Sequence, residues 1–154
     1  MTLLDAIAEA PNASQPLPWL ITCGQPSADQ LTRARDAGVT LVVDLRDPME
    51  ARPFDEPETL EALGVTYLNV PVNSGALDDA SLEQILEAIR AQGGRPTMVH
   101  CASANRVGGA LIPFFMIDQG MDEPAAIDAA MKVGLRSAEL MEWGLAYARA
   151  RRPT

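Results

Sequence analysis

The hydrophobic pattern switches between two periods along the chain. Trp19 to Cys23, Thr40 to Leu45 (T-L-V-V-D-L), Val65 to Val70 and Thr97 to His100 read as four short strands. Apolar runs of this length with little alternation suit buried parallel strands. Between them the spacing becomes helical. Ser27 followed by Gln30 has the form of a capping box and predicts a helix to Ala37, with Gly38 just past its end. Pro57 suits the first turn of a short helix through Leu63. Leu82, Ile85, Leu86 and Ile89 recur at helical spacing and predict a helix from about Ser81 to Ala91, broken by Gly93-Gly94. From Val107 the pattern is helical to the end: one helix to Gln119, one from Pro124 to Val133, one from Ser137 to Ala150. A short amphipathic helix, Leu3 to Ala10, is set apart from the rest by the proline-rich stretch P-N-A-S-Q-P-L-P at 11–18.

Strands alternating with helices predict an α/β fold: a mainly parallel central sheet of four or five strands with helices on both faces. Residues 1–154 then form one domain, with 1–18 as the lead-in and 19–150 as the core. Sheets of this kind place their sites at the carboxyl ends of strands. Cys101 follows the fourth strand immediately.

Composition narrows the chemistry. A chain of 154 residues with 47% hydrophobic and 21% charged residues is ordinary for a soluble domain. The net charge of −9 argues against nucleic acid bound on a broad basic face, though not against a local cationic pocket. Two cysteines, Cys23 and Cys101, and one histidine, His100, are too few for a sulfur- or histidine-ligated structural zinc site. No metal or organic cofactor is expected, no dinucleotide or Walker motif is present, and both thiols are expected free. Met1 to Ala10 carries Asp5 and Glu9 but no Lys or Arg, the wrong charge for a targeting peptide. The longest apolar run, Ala110 to Ile117, is broken by Pro113 and is too short for a membrane span. A cytoplasmic protein with no membrane partner is the expectation.

The chemistry concentrates in residues 99–109, V-H-C-A-S-A-N-R-V-G-G. The chain leaves a strand, makes a tight loop of small residues and enters a helix near Arg106. Backbone N–H groups of Ala102, Ser103, Ala104, Asn105, Arg106 and Val107 can then converge on one point, reinforced by the positive end of the helix. A cysteine at the lip of such a nest is expected to ionise readily. Arg106 offers a planar fork for two oxygens of an anion. Cys23 reads as a plain buried cysteine. A small oxyanionic or phosphorylated partner is implied.

The run H-C-x-x-x-x-R at a strand-to-helix turn resembles the signature of cysteine-dependent protein phosphatases. More closely, G-Q-P-S at 24–27, V-V-D-L-R at 42–46, Y-L-N-V-P-V at 67–72 and V-H-C-A-S-A-N-R-V-G at 99–108 resemble the bacterial phosphatase-like domain. That domain also occurs fused to beta-lactamase-like hydrolases, some linked to sulfide metabolism. The resemblance covers about residues 19–145. It implies a tyrosine phosphatase-like fold, with Cys101 as nucleophile, Arg106 as the oxyanion-binding residue and His100 helping to depress the thiol pKa.

Three departures keep the reaction open. Four residues separate Cys101 from Arg106, where phosphatase loops of this kind have five; four is the spacing of many rhodanese-type sulfurtransferase loops. Val107 stands where a hydroxyl usually eases departure of the thiolate. Ala104 replaces the usual mid-loop glycine and is strained if its φ is positive. A phosphatase also needs a general acid. Asn73 occupies the expected place, and Asp78 and Asp79 lie nearby, where a helix start alone would favour Asp. Arg46 either supplies a second cation or pairs with Asp44 or Asp47. Phosphoester hydrolysis is the first expectation, sulfur transfer through a Cys101 persulfide the alternative, and a non-catalytic oxyanion- or phosphoprotein-binding module the third.

Overall fold

The computed structural model describes residues 2–151. Five strands, β1 (Ser14–Leu17), β2 (Leu20–Cys23), β3 (Leu41–Asp44), β4 (Thr66–Asn69) and β5 (Thr97–His100), form one sheet in the order β1-β2-β5-β3-β4. The last four run parallel, and β1 pairs antiparallel with β2 across a two-residue turn. Among the described residues seven α-helices complete the fold: α1 (Leu3–Ala6), α2 (Ala28–Asp36), α3 (Glu56–Leu63), α4 (Asp79–Ala91), α5 (Asn105–Pro113), α6 (Glu123–Val133) and α7 (Ala138–Arg151).

The proline-rich lead-in therefore hides a strand. Pro16 reads as punctuation, yet it is tolerated because β1 lies at the sheet edge, where a missing N–H breaks no ladder. The first helix also stops at Ala6 rather than Ala10, although Ile7 and Ala10 remain buried. Elsewhere the caps act as their residue types dictate. Ser27 and Gln30 form a reciprocal box on α2, Asp55 caps α3, and Gly64 closes α3 at φ 72°.

Strand alternation sorts the core onto two faces. Ile21, Cys23, Val42 and Met98 pack with Ile7, Leu31, Ala34 and Leu60 from the side of α1, α2 and α3. Leu20, Val43 and Val99 pack on the other face with Leu86, Leu111, Phe115 and Leu140 from the later helices. The helical stretch beginning at residue 105 is not uniform. Pro113 cannot donate to the Gly109 carbonyl, and Phe114–Asp118 continues as a π turn closed by Gln119 N–H on the Phe114 carbonyl. Gly144 of α7 lies against that Gly109 carbonyl, where any Cβ would collide. Among the described residues no helix is long and apolar enough to cross a membrane.

Candidate active site

β5 sits mid-sheet between β2 and β3, so the loop that follows it opens at the carboxyl edge, flanked by the loops after those two strands. Cys101 is the first residue beyond β5, and its backbone N–H reaches the Cys23 carbonyl at 3.4 Å. Two neighbours then fix the peptide planes of the loop. Gln25 N–H donates to the Ala102 carbonyl at 3.0 Å, and Asn12 Nδ2 donates to the Ser103 carbonyl at 2.8 Å. In a trans peptide the N–H points opposite to the carbonyl. Holding these carbonyls outward therefore turns the N–H groups of Ser103 and Ala104 inward. Ala104 N–H duly donates to Cys101 Sγ at 3.1 Å.

Ala104 caps α5 with φ 71°, in the left-handed region that costs an alanine about 1 kcal/mol. The positive φ expected of a mid-loop glycine is thus adopted by a residue with a methyl group. Gly134 makes room for it: a Cβ on Gly134 would come within 3.0 Å of the Ala104 methyl. Gly24 does the same on the other side, since a Cβ there would lie 2.5 Å from the Ala102 carbonyl. Asn105 Oδ1 accepts from Arg136 N–H at 2.7 Å and ties the helix start to the α6–α7 connection. Val107 is fully buried and offers no hydroxyl.

Arg106 is not an open fork. Its Nη1 and Nη2 donate to Glu50 Oε2 and Oε1 at 2.7 and 2.8 Å, a bidentate pair, and Nη1 also reaches the Val72 carbonyl at 3.3 Å. The Arg106 hydrogen bonds hold the Glu50 carboxyl below the usual range, and the same pairing raises the arginine. Glu50 is otherwise tethered by Asp47 N–H at 2.6 Å. Both side chains border a polar cleft of about 340 Å³ with Asn73, Ser74, Ser103 and Asn105. No local pattern marks Glu50 in advance; it lies 56 residues from its partner.

The fold matches known structures. The chain superposes on a DUF442 protein of Shewanella putrefaciens CN-32, a candidate phosphatase, with TM-score 0.82, 20% identity, and coverage of 97% of this chain and 99% of that one. Tk-PTP in its active form gives TM-score 0.78 at 21% identity over 92% and 98% of the two chains. A cysteine-to-serine variant of P. aeruginosa TpbA in complex with pTyr gives 0.69 at 23% identity over 90% and 83%. The chain has a protein tyrosine phosphatase-like fold. No protein-family model and no curated protein sequence matches it.

Beneath the loop that follows β5 lies a buried charged cluster. Arg46, only 2% exposed, donates to both oxygens of Asp44 at 2.9 and 2.7 Å, to Glu56 Oε1 at 3.3 Å and to Gln25. It therefore pairs inward with Asp44 and Glu56, not with Asp47, and does not extend its guanidinium to the cleft. Tyr67 Oη donates to Asp44 Oδ2 at 2.7 Å, and Arg52 reaches the same oxygen at 3.2 Å. Burial alone would raise the Asp44 carboxyl, but the hydrogen bonds from Arg46 and the neighbouring His100 outweigh it and hold it at about 2. Burial and the bond to Asp44 push Tyr67 up to about 12.

His100 Nε2 lies 2.6 Å from Glu56 Oε2, and its Nδ1 lies 3.4 Å from the Cys101 carbonyl. Its ring meets the Cys101 backbone rather than Sγ. Asp44, Glu56 and His100 bring ligand-type atoms within 4.8 Å of one another. Arg46 already bonds two of the three, which makes the trio a poor cation site. Cys23 is free and buried, as is Cys101. Burial and the nearby Cys101 raise the Cys23 thiol well above its ordinary value.

Asp78 and Asp79 face other duties. Asp78 caps α4 through Ser81 N–H at 2.8 Å, which keeps its carboxyl low, and Asp79 pairs with Arg151 at 3.3 Å.

Proposed function

We propose that the protein is a cysteine-dependent phosphatase. Cys101 Sγ attacks phosphorus, the ester P–O bond breaks, and water hydrolyses the phospho-cysteine to release phosphate. Arg106 and the inward N–H groups of the loop stabilise the equatorial oxygens. A single observation carries this reading: the Arg106 fork already holds two coplanar oxygens, those of Glu50, on the same short loop that presents Cys101 Sγ to an N–H group. A phosphoryl group offers the same two acceptors with more charge. The pTyr bound by TpbA, which shares the fold, supports a small phosphorylated substrate.

Sulfur transfer remains the second reading, favoured by the four-residue loop and by the buried Val107, which gives the thiolate no hydroxyl to help it leave. Phosphate release from an aryl phosphate, and the intact mass after exposure to thiosulfate, separate the two. Catalytic phosphate release that disappears in Cys101→Ser is expected. A stable gain of one sulfur on Cys101 with negligible phosphate release would overturn the proposal. Neither adduct, with Arg106-dependent anion binding retained, would leave a binding module.

A further inference from the structure

We propose that Asn12 is a positioning residue that stabilises the Cys101 thiolate through a single peptide group, an assignment that rests on Cys101 being the nucleophile of the phosphatase reading. The group in question joins Ser103 to Ala104. At one end its N–H donates to Cys101 Sγ at 3.1 Å, and at the other its carbonyl accepts from Asn12 Nδ2 at 2.8 Å. A donor on the sulfur favours the charged form of the thiol over the neutral one. A donor on the carbonyl polarises the same peptide and strengthens that N–H. Gln25 holds the preceding peptide, so of the two clamps Asn12 acts on the one that touches sulfur.

Asparagine suits this position on two separate grounds. Asn12 has φ 51°, in the left-handed region that asparagine and glycine enter most readily. Glycine would keep the backbone but supply no donor. Aspartate has nearly the same shape but would set a carboxylate oxygen against a carbonyl oxygen, two acceptors with no proton between them. Asparagine joins the backbone preference to an amide donor. The resemblance to phosphatase-like domains begins at about residue 19, so none of the motifs points to this side chain.

The lead-in is held firmly enough for one amide to act as a clamp. The Pro11 carbonyl accepts from Gly24 N–H at 2.7 Å, and a Cβ on Gly24 would come within 2.9 Å of the Pro11 Cβ. Ile7 and Ala10 are buried ahead of Asn12, and β1 begins at Ser14 behind it. Asn12 itself is exposed, so water can replace it as a donor to the carbonyl. Water carries no tether, however, and leaves the peptide free to turn its N–H away from sulfur. The ionisable groups near Sγ are Arg106 of α5 and Cys23 of β2, with the His100 ring of β5 against the Cys101 backbone. Substitutions at Asn12 remove none of these groups, so a change in Cys101 reactivity reports on the peptide.

The rate of Cys101 alkylation by iodoacetamide across pH, with mass mapping to separate Cys101 from Cys23, reads the thiolate directly. In Asn12→Gly, which keeps the backbone conformation, the half-maximal pH should rise, and the rate below it should fall about 3-fold. Asn12→Asp should fall further, since a carboxylate repels both the carbonyl oxygen and the thiolate. Ile7→Val is the control for stability: it loosens the packing of the lead-in, so it should lower Tm and leave the alkylation curve in place. An Asn12→Gly or Asn12→Asp curve that coincides with the wild type's would overturn the assignment. So would an Ile7→Val curve displaced as far as that of Asn12→Gly. No phosphate release by the wild-type protein, with the Asn12 dependence of alkylation intact, would overturn the phosphatase instead and leave the stabilised thiolate standing.

Discussion

Replacing Arg46 by methionine tests whether the floor of the site is held by charge. Arg46 and its partners Asp44 and Glu56 are 2%, 0% and 1% exposed, so Arg46→Met keeps most of the volume but removes the cation that two buried carboxylates share. Breaking a buried pair in this way costs about 3–5 kcal/mol. For a domain of this size that is roughly a 10 °C fall in Tm. The pH dependence gives an independent handle. Asp44 titrates at about 2 in the folded chain against 3.8 ordinarily, so its stabilisation is fully present above its unfolded value and is lost as pH falls through about 2. The shift corresponds to about 2 kcal/mol. In Arg46→Met this stabilisation shrinks, because two buried carboxylates lose their shared cation and keep only Tyr67 and Arg52 on Asp44 and His100 and Gln25 on Glu56. The gap between variant and wild type should therefore be widest near neutrality and narrow on acidification towards about pH 4. Urea unfolding at several pH values, with the slope unchanged, measures it. A gap below about 1 kcal/mol at neutral pH, or one that widens in acid, would refute the account.

Asp78→Ala should cost about 1 kcal/mol of stability through loss of the α4 cap and leave kcat unchanged, read by thermal unfolding alongside turnover. Gly24→Ala puts a Cβ 2.5 Å from the Ala102 carbonyl, so the loop must shift; turnover should fall on the order of 100-fold, and near-native activity would contradict the close approach. Iodoacetamide at neutral pH should label Cys101 well before Cys23, whose thiol is held high by burial; mass mapping of the two peptides reads the order.

What the sequence made legible was local. A strand, a small-residue loop and a helix opening at Arg106 are written within eleven consecutive residues, and hydrophobic period alone separates β3 from α4. Even the strain at Ala104 could be anticipated, because the demand for positive φ belongs to the loop itself. Partners brought in from afar were not legible. Glu56 meets His100 across 44 residues and Asn12 meets Ser103 across 91, and nothing in either neighbourhood announces its partner. Arg46 could be narrowed to nearby acids, yet Glu56, ten residues on, entered only through the fold. β1 was hidden for a different reason: proline excludes a central strand but not an edge one.

The two sides of the loop are built differently, and the difference bears on how the site works. Below it, Arg46, Asp44, Glu56, His100 and Tyr67 satisfy one another inside the protein, and Gln25 and Asn12 clamp the loop carbonyls. A buried network of this kind resists displacement, because breaking any one contact strands a charge. Above it, Arg106 is held by the Val72 carbonyl and by one carboxylate on an irregular, partly exposed segment, where an ion pair is worth far less. Glu50 takes one N–H on each of Nη1 and Nη2, so Arg106 keeps further N–H donors for an arriving anion while the peptide planes that aim at Cys101 stay fixed. The nest is preorganised from below and Glu50 orients the Arg106 guanidinium from above, so under the phosphatase reading the donors for the oxyanion are fixed before it arrives.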